Sequence, residues 1–303
     1  VYQSFPVDSE AEITIEVNPG TLLQRKLPFY RAAGINRLSI GLQSANNEEL
    51  RLLGRIHSFE DFLKSFQNAR MAGFSNISVD LMSAIPGQTF DSWKYTLKKV
   101  TMLKPEHISA YSLIVEEGTP FWQLYGPQAD KSSLPKGFLP LPDEENECRI
   151  YEFTRNFLQE QGYGRYEISN YARPGFSCRH NIGYWTEVPY GLGASSYVGD
   201  CRFSNEDDLS AYLELDFSRG METIEALRGE VHHLSRQERM EEFMFLGLRM
   251  TRGISELDFV AQFGVKLESI YGPVLSRLKA RGLMEQEGYW WRSWGKIDPK
   301  YDS

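Results

Sequence analysis

Between Glu12 and Thr89 the chain repeats one pattern three times: a short run of alternating apolar and polar residues, a turn, and a helical segment. Ile13, Ile15 and Val17 alternate with Thr14 and Glu16. Leu38, Ile40 and Leu42 alternate with Ser39, Gly41 and Gln43, and Ile77, Val79 and Leu81 with Ser78, Asp80 and Met82. Strands separated by helices pair in parallel through right-handed crossovers, and a parallel sheet is normally apolar on both faces. A second face carrying Glu16, Gln43 and Asp80 therefore needs a purpose. A curved sheet lining a cavity supplies one, with polar groups at the carboxyl ends of the strands turned towards a ligand.

Punctuation between the strands sets the helices. Asn18-Pro19-Gly20 closes the first strand, and Thr21 is placed to cap a helix carrying Leu23, Leu27 and Tyr30. A short polar helix at about Asn47 to Leu53 leads into Gly54-Arg55-Ile56-His57. Ser58 with Asp61 spells a capping box, ahead of the stripe Phe59, Phe62, Phe66 and Ala69. Thr89 caps a helix with Phe90, Trp93, Leu97 and Val100 on its core face, and a fourth strand runs from His107 to Leu113. Four such units predict an α/β fold. A long loop follows, then a helix from Asp143 to Gln161 with Cys148, Tyr151, Thr154 and Leu158 on one stripe, and a strand from Tyr166 to Ser169. After Ser235 the composition turns to apolar helices, the first carrying Met240, Phe243, Phe245, Leu246 and Leu248, with a small hairpin around Tyr289-Trp290-Trp291. The expected domains are residues 1–227, a partial (β/α) barrel, and 228–303, a small helical domain of winged-helix type.

Composition excludes several classes. Lys plus Arg number 33 against 41 Asp plus Glu, a net charge of -8, which argues against nucleic acid or anionic membrane surfaces as partners. No apolar run approaches the roughly 18 residues of a membrane span, and the opening VYQSFPVDSE does not read as a signal peptide. The three cysteines Cys148, Cys178 and Cys201 form no CxxC, so a reducing cytoplasm is the expected compartment. No HExxH, GxxxxGK or complete GxGxxG occurs, and no His or Cys pair has metal-site spacing.

EVNPGT, GLQS, LGRIH, VDLMSAIPGQT, EEGTP, RHNIGYW and EEFMFLGLR follow one another in an order and spacing that resembles the radical S-adenosylmethionine (SAM) family of oxygen-independent coproporphyrinogen III oxidases, and more closely its haem-chaperone branch. The resemblance runs from about Glu12 to Gly282. It implies an open, partial (β/α) barrel with a cofactor at the carboxyl ends of the strands. It also implies that Glu16, Gln43, Arg55 and Asp80 contact SAM. Arg55 suits the ligand carboxylate, and the carboxylates suit ribose hydroxyls and an ammonium group. The alternative is an internal Glu16–Arg55 ion pair, with Gln43 and Asp80 capping backbone groups.

In the haem-chaperone branch, the HNxxYW motif represented here by RHNIGYW is implicated in haem binding. The resemblance thus points to His180 as an iron ligand, to Tyr184 and Trp185 as stacking surfaces, and to Asn181 as part of the same site. Against it stands a structural reading in which His180 and Asn181 organise a loop and Trp185 fills a core. Cys178, two residues before His180, is either a further ligand or a buried inert thiol.

The departures are as specific. The family's CxxxCxxC, whose thiolates hold a [4Fe–4S] cluster, has no counterpart in this sequence, and neither has its glycine-rich GGGTP stretch. Together with Val1 in place of Met, this reads as a family member without its first two strands, unable by itself to cleave SAM reductively. The strand Glu12–Val17 would then be an unpaired edge that promotes self-association. Leu81-Met82-Ser83-Ala84 replaces a usual tyrosine and glycine, and the tail WRSWGKIDPKYDS departs from the family's carboxyl end. The function implied is a haem chaperone that binds haem and passes it to an acceptor protein. The alternative is oxidative decarboxylation of coproporphyrinogen III by a SAM-derived radical.

Overall fold

The computed structural model describes residues 6–20, 25–129, 134, 135, 137–186, 195–216, 218 and 228–293. They fall into two compact units, one built from the residues up to Cys178 and one from Arg179 onward. The composition change near Arg228 lies inside the second unit.

The first unit is a six-stranded sheet with helices against it. Strands β1 (Thr14–Val17), β2 (Arg37–Gln43), β3 (Ile77–Ser83) and β4 (His107–Ser112) pair in parallel in that order. The short β6 (Asn170–Ala172) then adds antiparallel to β4, and β5 (Gly164–Arg165) to β6. The helices between them are α1 (Leu27–Ala32), α2 (Asn47–Leu52), α3 (Phe59–Met71), α4 (Phe90–Thr101), α5 (Pro120–Tyr125) and α6 (Glu144–Glu160). Leu38, Ile40, Leu42, Ile77, Val79, Leu81 and Ile108 form one wholly buried face, packed with Phe62, Phe66, Trp93 and Leu97. Each side chain of this size contributes about 1.5–3 kcal/mol on burial. The expected caps are present. Ser58 and Asp61 close a reciprocal box on α3, and Thr89 accepts from the Ser92 N–H on α4. The Thr21 cap lies outside the described residues.

Three expectations need correction. On α6 the buried stripe is Ile150, Thr154 and Leu158, while Cys148 and Tyr151 face solvent. The i, i+4, i+8 spacing of this trio, not the alternative register, meets the core, and Thr154 Oγ1 accepts from Trp93 Nε1 at 2.7 Å. Residues 166–169 are not a strand but the turn between β5 and β6. Tyr166 N–H donates to the Asn170 carbonyl, and the Glu167 carboxylate accepts from Ser169 N–H at 2.8 Å. Phe245, expected in an apolar helix face, is 58% exposed.

The second unit begins with α7 (Arg179–Trp185) and continues through an antiparallel sheet of β7 (Ser195–Val198), β8 (Cys201–Asn205) and β9 (Arg228–His233), with α8 (Leu209–Glu214) between β8 and β9. Its carboxyl-terminal part is α9 (Arg236–Gly247), β10 (Ile254–Ser255), α10 (Glu256–Phe263), α11 (Leu267–Ala280) and the hairpin β11 (Met284–Glu287) and β12 (Trp290–Ser293). Three helices beside a small sheet in the order β10-β12-β11 give the winged-helix arrangement, around Met240, Phe259, Phe263, Leu275 and Trp291. Gly253 allows the wing to close. With φ of +79° it sits so near the Trp291 carbonyl that a Cβ there would collide with backbone.

Candidate functional site

The face of the first sheet opposite the core is polar along its length. Register brings Glu16 beside Ser39, Ser39 beside Ser78 and Ser78 beside His107, and in the next row Gly41 beside Asp80 and Asp80 beside Ser109. The Ser39 hydroxyl donates to both Asp80 oxygens, at 3.1 and 3.0 Å, and Ser78 donates to Oδ1 at 3.3 Å. Burial raises the Asp80 carboxyl above its ordinary range, opposed by the Ser109 and Ser39 hydroxyls and the Arg37 cation. Beneath Asp80, His107 bridges Ser78 Oγ (2.8 Å to Nδ1) and Tyr166 Oη (2.8 Å to Nε2). Burial holds this imidazole neutral, well below the usual histidine range.

Gln43 owes its position to a bulge. The β2–β3 register shifts between Gly41 and Gln43, and Gln43 takes a left-handed backbone with φ of +73°. A Cβ at Gly41 would stand 3.1 Å from Gln43 Nε2 and 3.4 Å from Asn18 Oδ1, so glycine leaves room for both side chains. Tyr111 Oη then donates to Gln43 Oε1 at 3.1 Å. Tyr111 is also the meeting point of the group. Its hydroxyl is raised by burial and by the Asp80 carboxylate, against the pull of Arg55 and Gln43, and Glu16 adds a smaller push. Gln43 thus bonds to a residue that the sequence reading did not name, and Asp80, Arg55 and Glu16 lie near enough to act on it electrostatically. The signal was available in the alternation of His107, Ser109 and Tyr111 on β4.

Arg55 follows Gly54, whose φ of +68° turns the chain, and is anchored by His57, whose Nε2 lies 3.2 Å from the Leu42 carbonyl oxygen. Its guanidinium donates to Asn18 Oδ1 at 3.2 Å rather than pairing with Glu16, which is exposed at the end of β1. Arg55 also lines a cavity of about 350 Å³ shared with Met82, Leu113, Thr119, Pro120 and Phe121. The polar ends of the strands thus run into an apolar recess, an environment for a ligand with one charged and one apolar end. Behind this, the buried Glu49 accepts from Ser44 Oγ (2.6 Å), Gln88 Nε2 (3.0 Å) and Ser92 Oγ, tying α2 to α4 directly after Gln43.

The RHNIGYW segment forms α7 in the second unit. His180 and Tyr184, one turn apart, are exposed with ring centroids 4.8 Å apart, edge to face. Asn181 and Trp185 are half-buried, and the Arg249 guanidinium lies 4.3 Å from the Trp185 ring centroid. The helix therefore divides the four residues by face, with His180 and Tyr184 presented together. Cys178 is buried, and its thiol donates to Glu12 Oε1 at 3.4 Å.

Comparison with known proteins agrees with this architecture. The profile of the radical SAM superfamily matches residues 5–100, and that of the HemN C-terminal domain matches residues 234–292. Heme chaperone HemW of Bacillus subtilis is 36% identical over 282 residues, covering 92% of this chain and 71% of that protein. The chain belongs to the HemW family of radical SAM proteins. The Escherichia coli heme chaperone HemW is 31% identical over 287 residues, covering 94% of this chain and 71% of that protein. Among solved structures, the radical SAM coproporphyrinogen III oxidase HemN of Escherichia coli superposes with a TM-score of 0.72 at 22% identity, over 96% of this chain and 68% of that one. This last likeness establishes the fold: an α/β radical SAM sheet with a carboxyl-terminal domain.

Membership of this family implies SAM and a [4Fe–4S] cluster. The strand-end residues suit the first: carboxylates at Glu16 and Asp80, the Arg55 cation and the Gln43 amide offer the donor and acceptor set that an amino-acid head and a ribose require. They do not suit the second. No three His, Cys, Asp or Glu side chains converge as a metal site among the described residues. Of the cysteines, Cys148 is exposed, Cys178 is buried and Cys201 lies in the other unit. No helix among the described residues is long and apolar enough to cross a membrane.

Proposed function

We propose that this protein is a haem chaperone: it binds haem through His180 on α7 and delivers it to an acceptor protein. The observation that carries the reading is the state of the His180 imidazole. It is exposed, its ring contact is with Tyr184, and it has no hydrogen bond among the described residues. An exposed imidazole with no hydrogen bond among the described residues is available as an iron ligand, and the adjoining Tyr184 ring supplies an aromatic edge for a flat macrocycle. An exposed ligand on one short helix also suits cargo that must leave again. Its relatives named heme chaperones add weight to the same reading.

SAM belongs in this proposal at the strand ends, held by Glu16, Gln43, Arg55 and Asp80, with Tyr111 fixing the amide of Gln43. When bound beside a reduced cluster, SAM is a source of a carbon radical. The residues here bind and orient it, and Arg55 and Met82 carry the site into the apolar recess.

That recess favours a second reading, a radical oxidoreductase acting on a porphyrinogen. The two are separated by titrating the chain anaerobically with coproporphyrinogen III, and in parallel loading it with haem and adding apomyoglobin as a generic acceptor. Haem uptake and transfer without coproporphyrinogen III binding supports the chaperone. Saturable coproporphyrinogen III binding without haem uptake supports the oxidoreductase.

A further inference from the structure

A chain of hydrogen bonds leads away from Asp80 across the first sheet. Ser78 Oγ donates to Asp80 Oδ1 at 3.3 Å and lies 2.8 Å from His107 Nδ1. The other ring nitrogen of His107, Nε2, lies 2.8 Å from Tyr166 Oη, and the Cys178 backbone N–H donates to that same oxygen at 3.3 Å. Register sets Ser78 on β3 beside His107 on β4. Tyr166 is fixed in the turn after β5 by its N–H bond to the Asn170 carbonyl at the start of β6. Ser78 and His107 are wholly buried and Tyr166 nearly so, which keeps water from competing for these bonds.

Burial keeps the imidazole neutral, and a neutral imidazole has one donor and one acceptor nitrogen, assigned by its partners. Both ends of the chain dictate the same direction. An ionised carboxylate only accepts, so Ser78 sends its one proton to Asp80 and takes a bond from Nδ1–H. A backbone N–H only donates, so Tyr166 Oη accepts from Cys178 and sends its own proton to Nε2. We propose that His107 and Tyr166 are positioning residues for the SAM site: the Tyr166 hydroxyl holds His107 as the Nδ1–H tautomer, which commits the Ser78 proton to Asp80 and fixes that carboxylate for the ligand. This rests on the SAM reading above. Without the hydroxyl the ring is bonded at one nitrogen only, free to turn and to adopt either tautomer, and the Ser78 proton is shared between Nδ1 and Asp80.

Nitrogen-15 NMR of His107 reads the tautomer directly, in the unaltered chain and in Tyr166→Phe, which keeps the ring. Calorimetry measures SAM affinity for Tyr166→Phe, Ser78→Ala and the double variant, with circular dichroism to check that each folds. The unaltered chain is expected to carry the proton on Nδ1 alone, and Tyr166→Phe to show both tautomers. Tyr166→Phe should bind SAM about threefold or more weakly, yet cause no further loss when added to Ser78→Ala, where the link to Asp80 is already cut. A tyrosine that only supports the fold would weaken binding equally in both backgrounds. A proton on Nε2 in the unaltered chain, unchanged affinity in Tyr166→Phe, or additive losses overturn the proposal and leave the SAM reading standing. Failure of the folded, unaltered chain to bind SAM overturns both.

Discussion

The hydroxyl of Tyr111 donates to Gln43 Oε1 across 3.1 Å, and Gln43 offers that acceptor from a left-handed backbone with φ of +73°. A non-glycine residue there costs about 1–2 kcal/mol, and such strain persists where surrounding structure imposes it. The bulge at Gly41 and the bond from Tyr111 do so here.

Gln43→Gly therefore separates binding from stability. Relief of the backbone strain offsets the lost side-chain bond, so the melting temperature should stay within a few degrees, where truncating an unstrained buried side chain costs about 2–5 kcal/mol. SAM affinity by calorimetry should fall at least tenfold. A large loss of stability with binding intact would assign Gln43 to the core.

Asp80→Asn should stabilise the protein at pH 7. The native state raises this carboxyl by burying it, so as pH climbs through the usual aspartate range the unfolded chain ionises first and the folded state is penalised. The penalty is complete above the folded-state pKa and absent below the unfolded one. Urea titrations should show Asp80→Asn ahead by about 1 kcal/mol at pH 7, with the advantage gone in strong acid. The same substitution should weaken SAM binding.

His107 has the opposite sense. Burial depresses its pKa, so below the ordinary value of 6.5 the unfolded chain takes up a proton that the folded chain refuses, and stability falls with pH. His107→Gln breaks the bonds to Ser78 and Tyr166 and should cost about 1–3 kcal/mol at pH 7. Measured against the unaltered chain from pH 7 to 5, that deficit should shrink by up to about 1.4 kcal/mol per unit. His57, also lowered by burial, leaves some acid sensitivity in the variant. A constant deficit would mean that His107 takes up its proton equally readily in the folded and unfolded chains.

How much of this was legible beforehand depended on range. Local signals carried over: the alternation of Leu38, Ile40 and Leu42 is the buried face of β2, and Ser58 with Asp61 is a cap. On α6 the apolar residues allowed two registers, and only packing against Trp93 chose Ile150 over Cys148 and Tyr151. Site chemistry split in the same way. Glu16, Gln43, Arg55 and Asp80 were named from short motifs, whereas Tyr111 reaches Gln43 across the one intervening strand, β3, 68 positions away in sequence. Arg249 closes the EEFMFLGLR motif, but its place against the Trp185 ring comes from packing 64 positions away in sequence, which the motif does not reveal.

The haem reading rests on His180, and one titration reaches it most directly: haem added to the chain and to His180→Ala, followed by absorbance. A saturable Soret shift at about one haem per chain, displaced or lost in the variant while circular dichroism stays native, is the expected result. An identical spectrum and affinity in His180→Ala, or no shift from the folded unaltered chain, would contradict it.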